Sequence, residues 1–177
     1  MKKVLVIGSP GAGKSVFSRQ LGEITRLPVI HLDRHYWRTG WIEPSRDVWS
    51  RQLEEMLKGD EWIMDGNYGG TMELRLEYCD TVIFLDFPRH ICTWRIAKRT
   101  FQYRGRNRPD LAAGCPEKLD LEFIRLTWTY PSRSRPRVME RLTRVAERVS
   151  IVKLKTGREA DRFLRSLETE RNRSYGN

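Results

Sequence analysis

Short apolar segments alternate along this chain with longer segments whose apolar residues recur every three or four positions. The short segments are rich in β-branched residues, which is typical of buried strands, and the periodic segments predict amphipathic helices. The pattern predicts five strands, over residues 2–7, 27–33, 61–66, 81–86 and 149–154. Strands that alternate with helices favour a parallel sheet with helices on both faces, which is an α/β fold.

Irregular composition marks the remaining segments. Residues 104–116 lose the helical period and are rich in Arg, Gly, Pro and Asn, so we expect a mobile loop there. Two more helices are predicted after this loop, over about 117–130 and 136–148. We expect residues 171–177 to form a frayed polar tail and residues 1–170 to form a single domain.

The first predicted strand runs directly into a glycine-rich segment and then into a helix. This segment fits the phosphate-loop pattern G-x-x-x-x-G-K-[ST], and its sequence is Gly8-Ser9-Pro10-Gly11-Ala12-Gly13-Lys14-Ser15. Residues Pro10 to Ser15 are expected to hold the phosphates of ATP, with Lys14 reaching the β- and γ-phosphates. The Ser15 hydroxyl is expected to lie on Mg²⁺. The alternative is a glycine-rich turn without a ligand, which the matching strand and helix on either side make unlikely.

Overall composition narrows the class of protein. The chain has 177 residues, 39% hydrophobic and 32% charged, and no apolar run approaches the length of a membrane span. The N-terminus enters a strand without a signal peptide, so we expect a cytoplasmic protein without membrane contact, as a monomer or weak dimer. Three cysteines without C-x-x-C spacing favour buried thiols over a redox or zinc site.

The net charge of +10 lies entirely in the second half of the chain. Residues 1–90 carry 12 Lys and Arg against 13 Asp and Glu, whereas residues 91–177 carry 21 against 10. Arginine suits both nucleotide phosphates and nucleic-acid backbones, so a nucleic-acid partner stays possible but is less favoured.

Three acidic residues follow predicted strands, at the sheet edge where ligands bind in open α/β folds. We favour Asp65 as the acid on the Mg²⁺ side, with a turn-forming Asp-Gly as the alternative. Asp33 is a candidate for orienting or deprotonating the phosphate acceptor, and a helix cap is equally compatible with its position. Asp86 is expected to be a structural N-cap.

Arginines near the loop at 104–116 are candidates for stabilising the transferring phosphate. The candidates are Arg95, Arg99, Arg135 and Arg137, with Arg104, Arg106 and Arg108 as further loop residues. The helix that bears Arg95 and Arg99 has four apolar residues as its expected buried stripe: Ile91, Trp94, Ala97 and Phe101. A basic stripe, Arg137, Arg141, Arg144 and Arg148, is expected to be a solvated helix face, with a nucleic-acid contact as the weaker alternative.

Histidine and aromatic residues complete the set. His31, His35 and His90 show no metal-ligand spacing, so we assign them no metal. Four aromatic residues follow the acid-tipped strands and could stack on an acceptor ring or pack in the core: Tyr36, Trp37, Trp41 and Tyr68.

The order of these motifs resembles the adenylate-kinase-like branch of P-loop kinases. Asp65-Gly66 is similar to the Asp-Gly that ends the third strand in that family, and residues 104–116 are similar to a short lid preceded by arginines. Three blocks resemble the bacterial topology-modulation (FlaR-type) proteins: His31-Leu32-Asp33, residues 62–68 and residues 84–89.

The resemblance implies a five-stranded parallel sheet in the order 2-3-1-4-5, an ATP site with Mg²⁺, and a lid. It implies no particular acceptor, because nucleoside monophosphate kinases of this branch carry Asp-Gly-Phe-Pro-Arg where this chain has Asp65-Gly66-Asn67-Tyr68. Asp33 is more similar to relatives that phosphorylate a hydroxyl. The sequence therefore predicts a phosphotransferase acting on a nucleotide, nucleoside or other hydroxyl compound, with a nucleotide-dependent regulator or DNA-binding protein as the alternative.

Overall fold

Five parallel strands form the centre of the molecule, in the order β2-β3-β1-β4-β5. The computed structural model describes residues 1–105, 111–116 and 120–175. The strands are β1 (Lys3–Gly8), β2 (Val29–His31), β3 (Trp62–Asp65), β4 (Thr81–Leu85) and β5 (Ser150–Leu154). All four strand pairs are parallel, so the predicted sheet and its order are confirmed.

Helices cover both faces of this sheet. They are α1 (Lys14–Thr25), α2 (Leu32–Tyr36), α3 (Arg46–Leu57), α4 (Met72–Tyr78), α5 (Arg89–Gln102), α6 (Leu121–Arg133), α7 (Arg135–Val145) and α8 (Gly157–Tyr175). Alternate residues of β1 belong to separate apolar cores, Leu5 and Ile7 to one and Val4 and Val6 to the other. Burial on both faces explains why the strands are continuous apolar runs.

The buried face of α5 differs from the predicted stripe. Cys92, Ile96 and Thr100 are buried, whereas Trp94 is 68% exposed and Phe101 is 84% exposed. Both sets of residues have helical spacing, so periodicity alone could not separate them. The smaller face turns inward because α5 approaches the backbone of the glycine-rich loop, where large side chains would not fit.

Two predicted irregular segments are helical. Pro131 lies in the last turn of α6, and α7 begins at Arg135, directly after Ser134. Pro136 lies in the first turn of α7, where an amide would have no intrahelical acceptor. The last helix also runs to Tyr175, into the expected tail, because Arg171 Nη1 donates to two carbonyls at the end of α1.

Among the helices of the described ranges, none has the combination of length and apolar character that a membrane span requires.

Candidate functional site

The glycine-rich loop joins β1 to α1 at the carboxyl edge of the sheet. Gly11 and Gly13 have φ of 76° and 93°, a region that favours glycine. A Cβ at Gly11 would lie 2.3 Å from the carbonyl oxygen of Cys92 in α5. The Ala12 amide donates to the Ser9 carbonyl at 3.1 Å, and the first amides of α1 have no intrahelical acceptor. The loop therefore presents backbone donors to an anion, although Pro10 has no amide hydrogen and contributes none.

Lys14 folds back across this loop. Its Nζ donates to the carbonyls of Gly8 at 3.1 Å and Ser9 at 3.2 Å. Burial lowers the pKa of Lys14, and the charges of Asp33 and Asp65 oppose that change. The Lys14 ammonium thus interacts electrostatically with both candidate acids, Asp33 and Asp65. Ser15 follows it as the second residue of α1 and is partly buried.

Asp65 ends β3 and is 3% exposed. It lies in register with Val6 of β1 on one side and with His31 of β2 on the other. His31 Nδ1 lies 2.8 Å from Asp65 Oδ2, and both side chains are buried. Sequence reasoning assigned His31 no metal and did not find this pairing, since the pairing depends on which strands are neighbours.

The oxygen chemistry of Asp65 and Ser15 suits a magnesium ion. A carboxylate and a serine hydroxyl are hard oxygen ligands, the kind that Mg²⁺ prefers, and phosphate oxygens complete such sites. Among the described residues, no group of three or more His, Cys, Asp or Glu side chains could hold a metal ion.

Asp33 lies in the first turn of α2 and not at the end of a strand, because α2 begins at Leu32, directly after β2 ends at His31. It does not cap the helix, whose N-cap is His31. The Tyr68 hydroxyl donates to Asp33 Oδ1 at 2.6 Å. Burial raises the pKa of Tyr68 far above its ordinary value, and the charge of Asp33 adds to this effect.

A turn after β3 connects the two sides of the site. Asn67 Nδ2 donates to the Gly8 carbonyl at 2.7 Å, and the Gly8 amide donates to Asn67 Oδ1 at 3.1 Å. The neighbouring Tyr68 contacts Asp33, as described above. The same turn therefore contacts both the start of the glycine-rich loop and Asp33.

Arg75 is a fully buried residue that sequence reasoning missed. Its guanidinium donates to the carbonyls of Thr71 at 3.3 Å, Gly66 at 2.8 Å, Tyr68 at 3.0 Å and also Asn67. Burial lowers the pKa of Arg75 to about 10, so it is charged at neutral pH. The charge is solvated by backbone dipoles of the turn.

Arg95 of α5 also contacts the phosphate loop. Its Nη1 donates to the Ala12 carbonyl at 2.9 Å, and its guanidinium lies over the Phe87 ring at 5.3 Å. A cavity of about 220 Å³ lies here between the loop and the first turn of α8, with Gly13, Arg95 and Asp161 among its lining residues. This cavity adjoins the glycine-rich loop and was not predicted from sequence.

The other candidate arginines differ in their surroundings. The charge of Arg99 acts on Lys14 and lowers its pKa. Arg135 donates from Nε and Nη2 to the two carboxylate oxygens of Asp86, both at 2.8 Å. Asp86 is therefore an ion-pair partner and does not cap α5, whose N-cap is Pro88. Arg137 is exposed at the start of α7.

The basic stripe on α7 is largely engaged within the chain. Arg141 pairs with Glu73 at 2.7 Å and donates to the Gly69 carbonyl at 3.0 Å. Arg144 pairs with Glu140 one turn away. These contacts favour the interpretation of a solvated structural face.

The aromatic residues pack on one another beside Asp33. Tyr36 lies between Trp37, Trp49 and Tyr68, at centroid distances of 5.0, 5.0 and 4.5 Å. Trp37 also contacts Trp41 at 5.2 Å. Trp49 is buried, whereas the four aromatic residues singled out from sequence are only partly buried. The cluster therefore extends the apolar core and leaves one side accessible to a ligand.

The candidate lid is described only in part, and Arg106 and Arg108 lie outside the described residues. Residues 111–116 pack on the segment after α2, where the Gly40 amide donates to the Gly114 carbonyl at 2.9 Å. Trp41 Nε1 donates to the Pro116 carbonyl at 3.2 Å. The described part of the loop therefore contacts the aromatic side of the site.

Comparisons with known proteins show the fold. No protein-family model and no curated protein matches the chain. A solved structure from Chloroflexus aurantiacus, described as "a putative kinase", aligns with a TM-score of 0.51 and 16% identity, over 96% of this chain and 98% of that chain. Shikimate kinase from Bacteroides thetaiotaomicron aligns with a TM-score of 0.48 and 13% identity, over 94% and 95%. The sheet order and the first likeness show an α/β P-loop NTPase fold.

Proposed function

Given this P-loop fold, we propose that the chain is a phosphotransferase that moves the γ-phosphate of Mg·ATP to a small-molecule acceptor. The observation that carries the proposal is the position of Lys14, a phosphate-loop cation within the field of Asp33 and Asp65. A donor phosphate on the loop would then lie next to an acid able to address an acceptor.

On the donor side, the amides of Gly11, Gly13, Lys14 and Ser15 and the Lys14 ammonium bind the phosphate oxygens, while the Ala12 amide donates to Ser9. Ser15 and Asp65 would hold Mg²⁺, which when bound offsets the charge of the phosphates. The cavity beside Arg95 would receive the base of ATP, with the guanidinium over Phe87 as a flat platform.

On the acceptor side, Asp33 accepts a hydrogen bond from an acceptor hydroxyl and can take its proton as the phosphate is transferred. The partly exposed aromatic residues beside it suit an acceptor with a flat or apolar ring. A nucleotide, a nucleoside and another hydroxyl compound all remain within this class. The three blocks that resemble topology-modulation proteins support placing the chain near that group.

Arginines would close the site around the transferring phosphate. The charge of Arg99 acts on Lys14 of the loop, and Arg137 lies in the first turn of α7. Arg135 would have to leave Asp86 to reach a phosphate. Residues 104–116 would act as a lid that excludes water, which favours transfer over hydrolysis.

A transfer screen tests the proposal. Labelled ATP with Mg²⁺ is offered with nucleosides, nucleotides and small alcohols, and labelled products are separated and counted. We expect at least one labelled product from the wild type and none from Lys14→Ala. Lys58→Ala is the matched control, because Lys58 is an exposed lysine far from the loop in sequence, paired with Glu55. Equal product from the wild type and Lys14→Ala would contradict the assignment.

The DNA-binding alternative rests on the basic second half of the chain. A DNA titration against salt separates it, because a protein that contacts several phosphates shows a steep loss of affinity with salt. Salt-sensitive binding without any transfer product would favour that alternative.

A further inference from the structure

The turn formed by Gly66, Asn67 and Tyr68 is bonded to both sides of the proposed site. Asn67 exchanges two hydrogen bonds with the backbone of Gly8 at the start of the phosphate loop. Tyr68 donates to the Asp33 carboxylate at 2.6 Å. Its geometry therefore influences where the acceptor acid lies relative to the phosphates.

Tyr68 holds an unusual backbone conformation in this turn. Its φ is 31° and its ψ is 70°, in the left-handed region that residues with a side chain rarely adopt. Such conformations persist where the surroundings fix them, and they concentrate at functional sites. Here the Tyr68 carbonyl accepts from Arg75 Nη2 and from the Thr71 amide, both at 3.0 Å. The buried arginine thus holds the residue in a strained geometry.

The ring of Tyr68 is held as firmly as its backbone. It packs on Tyr36 at 4.5 Å and on Trp49 at 5.4 Å between ring centroids. Because burial and the charge of Asp33 both raise the pKa of the phenol, Tyr68 stays protonated at physiological pH. It is therefore a permanent hydrogen-bond donor to Asp33.

Charged and polar groups act on this pair from several elements. Lys14 of α1 faces Asp33 from the phosphate loop, and Tyr68 faces it from the turn. The charges of Tyr36 and Arg75 also affect the pKa of Tyr68, with Tyr36 raising it and Arg75 lowering it. A donor fixed on a carboxylate stabilises the ionised form and restricts its rotation.

We propose that Tyr68 is a positioning residue for Asp33, whose phenol holds the carboxylate oriented toward the acceptor hydroxyl. The inference rests on the proposed role of Asp33 as the acid on the acceptor side. No proton or phosphate passes through Tyr68 in this role. The residue acts through Asp33 alone.

The test compares Tyr68→Phe with Tyr78→Phe. Both changes remove one phenol oxygen and keep the ring, and Tyr78 is an exposed tyrosine at the end of α4 that has no role in the proposed site. The pKa of the Asp33 carboxyl is measured by ¹³C NMR on protein labelled at aspartate carboxyls, with Asp33→Asn giving the assignment. We expect the pKa of Asp33 to rise by about one unit in Tyr68→Phe and to stay unchanged in Tyr78→Phe.

Turnover gives a second readout with any acceptor found in the screen. We expect kcat to fall about tenfold in Tyr68→Phe, with an unchanged KM for ATP and an acid limb of the pH profile shifted upward by the same unit. An unchanged Asp33 pKa, or equal effects of the two variants, would overturn the inference. If the wild type transfers no phosphate, the proposed function fails, while the NMR result still decides whether Tyr68 controls Asp33.

A milder replacement covers the case in which Tyr68→Phe does not fold. Tyr68→3-fluorotyrosine keeps every atom of the ring and makes the phenol a stronger donor. We expect it to lower the pKa of Asp33, and an unchanged or raised value would contradict the positioning role.

Discussion

Gly11 lies where the phosphate loop touches α5, and its replacement by alanine tests the geometry of the loop. Two separate effects act on a new Cβ. The φ of 76° is unfavourable for any residue with a side chain. The Cβ would also lie 2.3 Å from the Cys92 carbonyl oxygen and 3.0 Å from Ile96 Cγ1, so the loop and α5 must separate.

A matched control separates the conformational cost of Gly11→Ala from its steric cost. Gly40 has nearly the same φ, 81°, and no described heavy atom lies within 4 Å of a Cβ placed there. Gly40→Ala therefore carries only the conformational cost, about 1 kcal/mol. Gly11→Ala adds the cost of overpacking against a fixed backbone, about 1–3 kcal/mol. We expect a total of about 2–4 kcal/mol for Gly11→Ala.

Urea unfolding followed by tryptophan fluorescence measures the free energy of unfolding of both variants. Calorimetric titration with Mg·ATP then measures binding at a temperature where both variants are folded. We expect Gly11→Ala to be the less stable of the two and to lose nucleotide affinity, whereas Gly40→Ala binds like the wild type. Equal stability of the two variants, with full ATP binding by Gly11→Ala, would refute the close approach of the loop to α5.

Three further predictions concern buried groups. Arg75→Met leaves carbonyls of the turn after β3 without their donor. We expect calorimetric melting to show that the free energy of unfolding falls by about 3–5 kcal/mol. A fall below about 1 kcal/mol would contradict the role of Arg75. Asp86→Asn weakens a partly exposed ion pair with Arg135. We expect urea unfolding to show that the free energy of unfolding falls by only about 1 kcal/mol, and a much larger fall would contradict this expectation. Burial raises the pKa of Cys79 to about 11 and also raises that of Cys92, so alkylation of the native protein should stay slow until well above pH 9, and all three thiols should react in denaturant. Rapid native alkylation at pH 8 would contradict that burial.

The sheet and the phosphate loop could be predicted because their signals are local. A strand buried on both faces is a continuous apolar run, and the phosphate loop needs glycines at fixed spacing followed by Lys14. The order of the strands came from the family resemblance. Periodicity failed on α5, where Trp94 and Phe101 have the spacing of a buried stripe but are exposed.

Contacts between distant residues could not be predicted in the same way. His31 and Asp65 meet because β2 and β3 are neighbours in register, and Asp86 meets Arg135 across 49 residues of chain. Arg75 lies in a short helix that sequence reasoning left without a function, and its burial depends on the path of the turn beside it. These pairings follow from the three-dimensional path of the chain, which no local pattern encodes.

Calorimetric titration of the wild type with Mg·ATP and Mg·GTP, against Lys14→Ala, tests the phosphate loop most directly. We expect saturable heat for one nucleotide per chain in the wild type and its loss in Lys14→Ala, while circular dichroism shows both proteins folded. No heat from either nucleotide with the folded wild type would leave the proposed transfer without a phosphate donor and would contradict the assignment.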